Sequence, residues 1–310
     1  MTRPPGGRSG RDLLGGVTVP LVTPMSAPGV PSAAAAERLL AALAAAGARG
    51  LMLFGSNGEG ALLPVGALGA FAAGVTRRWR ELTGDGPVLV NVTGPGTAEA
   101  LARADAVRAA EPDAVVLSPP FYYRHREDEI LAHYAAFAGL GLPVIAYHVP
   151  RYSNPIGAGL LATIAALPHV VGLKDSSGDL GLLGAAVEAA GREEGFGVSQ
   201  GAESLLLAGL ARGADGIVPG VANLAPGLCA RLYAAHRAGR RAEAEQAQRA
   251  VGELLRLHQV RPGVPAVKAI LDSRGLCPPH VAAPFSPVTE AERGQLLSLL
   301  APSERHLIRA

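Results

Sequence analysis

The sequence is poor in cysteine, in aromatic residues and in charge. Only Cys229 and Cys277 occur in 310 residues, far apart and in no CxxC pair. A disulfide framework and a structural zinc site are thereby excluded as expectations, and a reducing, cytoplasmic setting fits. Aromatics make up 4% of the chain, and no basic stripe is interleaved with them. The densest basic patch is Arg77, Arg78 and Arg80 around Trp79, and Glu81 follows at once. It reads as a solvated helix end, so nucleic acid is not an expected partner. The formal net charge is only +2.

Two segments lack Asp, Glu, Lys and Arg altogether, Ile130–Pro150 and Tyr152–Leu173. Each reaches the roughly 20 residues a bilayer span requires. Gly139, Gly141 and Pro143 divide the first, and Asn154, Pro155 and Pro168 divide the second. Each therefore reads as a helix followed by a buried strand, with no membrane as partner.

What is plentiful is apolar and small. Hydrophobic residues are 49% of the chain, beside 40 Gly and 25 Pro. Such a chain buries a large core and is not disordered. Residues 1–13, rich in Arg, Gly and Pro, are the exception and read as a disordered tail.

Beyond them, short apolar runs alternate with Ala/Leu-rich helical stretches. Strands are expected at Val17–Val22, Gly50–Phe54, Pro87–Val92, Ala114–Leu117, Pro143–Tyr147, Val170–Lys174, Gly197–Ser199 and Gly216–Val218. Most are continuous apolar runs, as parallel strands covered on both faces are. Eight β-α units predict an α/β fold of the TIM (β/α)8 barrel type, with an open doubly wound sheet as the alternative. The barrel is expected over 14–235. About three surplus helices, near Leu224–Gly239, Ala242–His258 and Val264–Arg274, predict a C-terminal helical extension over 236–310.

In such barrels the working residues sit at the C-terminal ends of strands. Lys174 would end an apolar strand inside the barrel mouth. Desolvation lowers a lysine pKa and supplies neutral amine that attacks carbonyls. An ion pair with Asp175 or Asp179 explains the position equally well. Tyr147 is the candidate proton shuttle at the neighbouring strand end. A phenol titrates near 10, so it needs a relay or a cationic neighbour. Ser56 and Tyr122 are the candidates for that relay. The loop Gly55-Ser56-Asn57-Gly58-Glu59-Gly60 lies between strand and helix, where backbone N–H groups can hold an anion; a tight turn that needs glycine explains it at least as well. It lacks the ending of a P-loop, so a carboxylate is the expected anion. His148 would point away from the barrel interior and is read as packing. No histidine pair has metal-ligand spacing, and no metal or cofactor is expected.

In order along the chain, GSNGEG, PFYY, YHVP and GLKDSSGD resemble the dihydrodipicolinate synthase / N-acetylneuraminate lyase family of Schiff-base aldolases. The resemblance runs from Pro20-Leu21-Val22-Thr23-Pro24 to Pro265-Ala266-Val267-Lys268. It implies a barrel with a helical extension and a homo-oligomer, dimer or tetramer. It implies that Lys174 forms an imine with a 2-oxo acid, usually pyruvate, and that Tyr147 moves protons. Ser56 belongs to the relay, Tyr122 crosses a tight-dimer interface, and the backbone around Gly55, Ser56 and Asn57 clamps the substrate carboxylate.

Three departures bear on the substrate. Ser56-Asn57 stands where dihydrodipicolinate synthases carry two threonines, and is similar to 4-hydroxy-2-oxoglutarate aldolases. Tyr152 stands where the synthases place an arginine, with Arg151 adjacent. Glu203 stands near an acidic residue of the sialic acid lyases. The expected activity is a lyase, aldolase or dehydratase on a 2-oxo acid, dicarboxylic or polyhydroxylated. The alternatives are 4-hydroxy-tetrahydrodipicolinate synthase and a non-catalytic 2-oxo acid-binding protein.

Overall fold

A computed structural model describes residues 8–309. Eight parallel strands close into a barrel in the order in which they occur. They are β1 (Gly16–Pro20), β2 (Gly50–Leu53), β3 (Val88–Asn91), β4 (Ala114–Leu117), β5 (Val144–His148), β6 (Val170–Asp175), β7 (Gly197–Gln200) and β8 (Gly216–Ile217). Seven of them are buried along their whole length, and β1 along all but its first residue. This agrees with the continuous apolar runs of the sequence.

The register holds one irregularity with functional weight. Between β5 and β6, Val144 lies opposite Val170 but Ile145 lies opposite Gly172, so one residue of β6 is skipped. Tyr147 therefore stands beside Lys174 rather than Leu173. A slip of one residue turns every following side chain to the other face. The bulge is thus what sets phenol and amine side by side.

The N-terminal end of the barrel is closed by a short helix, Gly10–Leu14, which corrects the expectation of a disordered tail through residue 13. A capping box of Ser9 and Asp12 starts it, and Leu13 and Leu14 are fully buried. Residues 1–7 of that expected tail lie outside the described residues. The helix presses against the sheet so closely that a Cβ on Gly10 would fall 1.6 Å from the Val171 carbonyl oxygen. One on Gly197 would fall 2.2 Å from the Gly10 oxygen. Glycine at both positions is a steric requirement here.

The expected helices are present within a few residues of their ends. A two-stranded ribbon, Met25–Ala27 with Val30–Pro31, lies outside the barrel and was not anticipated. The C-terminal extension holds Arg241–Leu255, Leu257–Val260, Val264–Ser273 and a further helix, Glu290–Leu300. That last helix begins with a capping box of Thr289 and Glu292. Among the described residues, no helix is long and apolar enough to cross a membrane.

Candidate active site

Lys174 is the last residue but one of β6 and is 5% exposed. Its Nζ lies 3.7 Å from the centroid of the Tyr147 ring. Among the described residues no carboxylate comes within ion-pair distance of it. Both acids that could have paired with it are engaged elsewhere. Asp175 faces the other side of the strand, where its Oδ1 meets His148 Nδ1 at 2.9 Å. Asp179 caps the helix Leu180–Arg192, accepting from the amides of Gly181 at 2.8 Å and Leu182 at 3.1 Å. The ion-pair reading of Lys174 is thereby corrected. Room for the amine comes from Gly201, where a Cβ would lie 3.3 Å from Lys174 Cε.

Tyr147 is buried, and its hydroxyl lies 3.3 Å from Ser56 Oγ. Burial acts to raise the phenol pKa. The Lys174 charge, with hydrogen bonds to Ser56, Lys174 and Ser176, outweighs burial and draws it below its usual value. Tyr134, equally buried, lacks that cation, and burial pushes its phenol up instead.

Ser56 opens a short 3₁₀ turn, Ser56–Gly58, directly after β2. The first amides of such a turn have no acceptor within it. The turn is pinned by Thr23, whose hydroxyl donates to the Gly58 carbonyl at 2.6 Å. A Cβ on Gly60 would fall 2.0 Å from the Phe54 carbonyl, so the loop folds tightly back on the strand end. The Asn57 side chain packs against Gly220, where a Cβ would lie 3.0 Å from its amide nitrogen.

A cavity of about 340 Å³ opens over this cluster, lined by Gly55, Ser56, Tyr147 and Tyr152 among others. Four expected residues do not line it: Lys174, which lies against the Tyr147 ring that does, together with Asn57, Tyr122 and Glu203. Tyr122 is 86% exposed, with φ of 83°, and does not line the chain's own cavity. Glu203 accepts the Val221 amide at 2.6 Å and likewise does not line the cavity. Burial raises its carboxyl pKa against the pull of that amide and of the Lys174 charge. Arg151 lies over the Tyr152 ring at 5.6 Å, in an outer depression rather than in the cavity. Burial also raises both cysteine thiols, Cys277 to about 12.

The model of the dihydrodipicolinate synthetase family matches residues 13–302. The chain belongs to this family. An uncharacterized DapA-like lyase of Halobacterium salinarum is 32% identical over 303 residues, 97% of this chain and 98% of that protein. A 4-hydroxy-tetrahydrodipicolinate synthase of Acidiphilium cryptum is 30% identical over 291 residues, covering 91% of this chain and 95% of its own length. Among solved structures, YagE matches with a TM-score of 0.87 and 26% identity. YagE is a prophage protein of the dihydrodipicolinic acid synthase family from E. coli K12, determined in complex with pyruvate. The match covers 94% of this chain and 99% of that one. The protein is thus a class I, pyruvate-type lyase.

Sequence reasoning passed over two features of this lyase. The first is the His148–Asp175 pair. Asp175 also accepts from the Ser177 amide at 3.2 Å and hydroxyl at 3.1 Å, and its carbonyl accepts from the Gly201 amide at 2.6 Å. This braces the strand end that carries Lys174. The second is a buried ion pair between Glu59 and Lys268, 2.5 Å apart and both 0% exposed. Glu59 also accepts the Ala282 amide at 2.7 Å, and Lys268 donates to the His280 carbonyl at 2.7 Å. The pair fastens the glycine-rich loop to the C-terminal extension. One signal was available: Lys174 and Lys268 are the only lysines in the chain, and all other basic residues are arginines. A side chain used so sparingly marks places where arginine does not serve.

Proposed function

We propose that the enzyme makes or breaks a carbon–carbon bond beside the carbonyl of a 2-oxo acid, or removes water there, through an imine on Lys174. The observation that carries this reading is an amine without a carboxylate partner, set 3.7 Å from the ring of a tyrosine whose hydroxyl reaches Ser56 at 3.3 Å. An ion-paired lysine would be a structural residue. This one has an aromatic face and a hydroxyl chain around it, which suits an amine that must lose and regain a proton.

The steps follow from the chemistry of those groups. The neutral amine attacks C2 of the 2-oxo acid, and the carbonyl oxygen leaves as water once protonated, forming the C=N bond. The protonated imine draws electrons from C3, which loses a proton or a carbon substituent to give an enamine. C3 of the enamine forms a bond to an aldehyde carbon in the synthetic direction, and the aldehyde oxygen takes a proton. Water then attacks C2 and releases the lysine. Tyr147 gives and takes these protons, and Ser56 passes them towards the cavity. The opening amides of the Ser56–Gly58 turn, after Gly55 and including that of Asn57, hold the substrate carboxylate. Tyr122 contributes to the cavity of a second copy, which accounts for its exposure in the single chain.

The test is borohydride reduction in the presence of pyruvate, read by intact and peptide mass. A reduced adduct on Lys174 is the expected result. With only two lysines in the chain, the modified peptide identifies the site without ambiguity. Absence of an adduct with pyruvate and with larger 2-oxo acids would refute the imine.

The names of the relatives favour one specific activity, 4-hydroxy-tetrahydrodipicolinate synthesis. Condensation of pyruvate with aspartate semialdehyde tests it directly, and no product means that activity is lost.

A further inference from the structure

We propose that the second reactant, the aldehyde that joins or leaves the enamine, is uncharged and largely apolar, aromatic or branched aliphatic. This rests on the imine reading above and concerns the apolar lining of the same cavity. It departs from the dicarboxylic or polyhydroxylated substrate that the loop motif suggested, and from the charged aspartate semialdehyde that the relatives' names favour.

The apolar lining of the cavity is Phe54, Leu62, Phe121, Val149, Tyr152 and Phe285. No lysine or arginine lines the cavity. A second carboxylate entering it would shed its hydration with no cation to replace the lost water, and that is costly. Two arginines approach the cavity from outside: Arg151 lies over the Tyr152 ring, and Arg103 is engaged by the Gly60 and Leu63 carbonyls and by Glu99. The only charged residue in the lining is Glu59, an anion already engaged by Lys268 and the Ala282 amide. The pair is neutral as a whole and offers a second carboxylate no counterion.

A polyhydroxylated substrate needs free donors and acceptors, and this lining has already joined most of its own. Asn91 donates to the Phe54 carbonyl at 2.9 Å and accepts from the Thr93 hydroxyl at 2.8 Å. The Thr93 oxygen accepts the Ser118 amide at 2.9 Å, and the Ser118 hydroxyl donates to the Pro119 carbonyl at 2.9 Å. These polar side chains are linked to one another and to backbone. Specificity for hydroxyls comes from polar groups that are left unsatisfied until the substrate arrives; Asn91, Thr93 and Ser118 are already engaged, which leaves the Tyr152 hydroxyl as a single free group where a polyhydroxylated chain needs several.

The cavity continues to an apolar mouth. Leu62, Tyr152 and Phe285 are 36%, 57% and 41% exposed there. An aldehyde bearing a ring or branched chain gives these side chains the surface they lack. At about 340 Å³ the cavity is small but within the roughly 300–1,000 Å³ of small-molecule sites.

The experiment uses the full chain with pyruvate and a panel of aldehydes. Benzaldehyde and 3-methylbutanal represent the apolar class, glyoxylate and aspartate semialdehyde the charged class, and glyceraldehyde the hydroxylated class. The readout is kcat/KM from product formation, with the borohydride adduct measured in parallel. Both apolar aldehydes are expected to exceed each of the others by at least about tenfold. An adduct together with equal or faster use of a charged or hydroxylated aldehyde overturns this proposal and leaves the imine standing. So does an adduct with no apolar aldehyde consumed. Absence of any adduct removes both readings together. A second arm places a cation in the wall with Leu62→Arg, at a half-exposed position that tolerates a long side chain. The glyoxylate-to-benzaldehyde ratio is expected to rise by about tenfold, and an unchanged ratio counts against the proposal.

Discussion

The two lysines of this chain are both buried, yet their surroundings are opposite. Lys268 lies fully enclosed against Glu59 and a carbonyl oxygen. Lys174 lies against the Tyr147 ring and near hydroxyls, with its neighbouring acids turned elsewhere. A buried ammonium with a close anion is a fixed charge, costly to disturb. A buried ammonium without one has no such anchor, and an aromatic face holds it in place without pairing it. Burial alone therefore does not distinguish a reactive lysine from a structural one. The identity of the group opposite the nitrogen does.

The sharpest separation of the two is expected from Lys174→Met. Activity should fall on the order of 10⁴-fold or more, while thermal unfolding stays at or above that of the parent, because no anion is left unpaired. A marked loss of stability would place Lys174 with Lys268 and erase the contrast. Next in size is Tyr147→Phe. It keeps the ring against the amine and removes the hydroxyl that meets Ser56, so a loss of about 10²–10⁴-fold in kcat is expected. An adduct with pyruvate that still forms, but slowly, would assign the loss to proton transfer.

Lys268→Met should act on stability first. Leaving Glu59 buried and alone costs about 3–5 kcal/mol, measurable by denaturant unfolding. The double variant Glu59→Gln with Lys268→Met should recover much of that loss. Additive losses would show that the two side chains act separately.

The smallest of these effects concerns a third buried base, His133, which takes another course and abandons its charge. Its pKa is lowered from 6.5 to about 4, chiefly by burial, and Thr97 Oγ1 lies 2.9 Å from its Nδ1. A base whose pKa is lower in the folded chain stabilises it fully above the unfolded value. That contribution, about 3 kcal/mol from the size of the shift, is lost as pH falls from 6.5 towards 4. A His133→Gln variant should flatten that part of the stability profile, and an unaltered slope would assign it to other groups.

Much of the barrel was legible because buried parallel strands have to be apolar along their length, and the strand ends then stand out as the places where Lys174 and Tyr147 occur. The adjacency of those two was less so. It depends on the residue skipped between Val144 and Ile145, which no local pattern announces. The Glu59–Lys268 pair was hidden because its members meet only when the extension docks on the loop. Other omissions had signals in plain view. Ser9 with Asp12 and Thr289 with Glu292 each have the spacing of a capping box, and each begins a helix that was not expected. Tyr122 was legible as a residue type but not as a place, since its side chain is turned out to solvent.

The Glu59–Lys268 tie also orders events in time. Glu59 emerges early in synthesis and waits more than two hundred residues for its counterion. Until Val264–Ser273 has left the ribosome and docked, the loop that carries Ser56 is held by Thr23 and Arg103 through its carbonyls, while Glu59 has no counterion. The barrel strands are all made by then, but the loop beside the cavity still lacks one of its ties. The eight strands are therefore synthesised before this tie exists, and the last quarter of the chain supplies it.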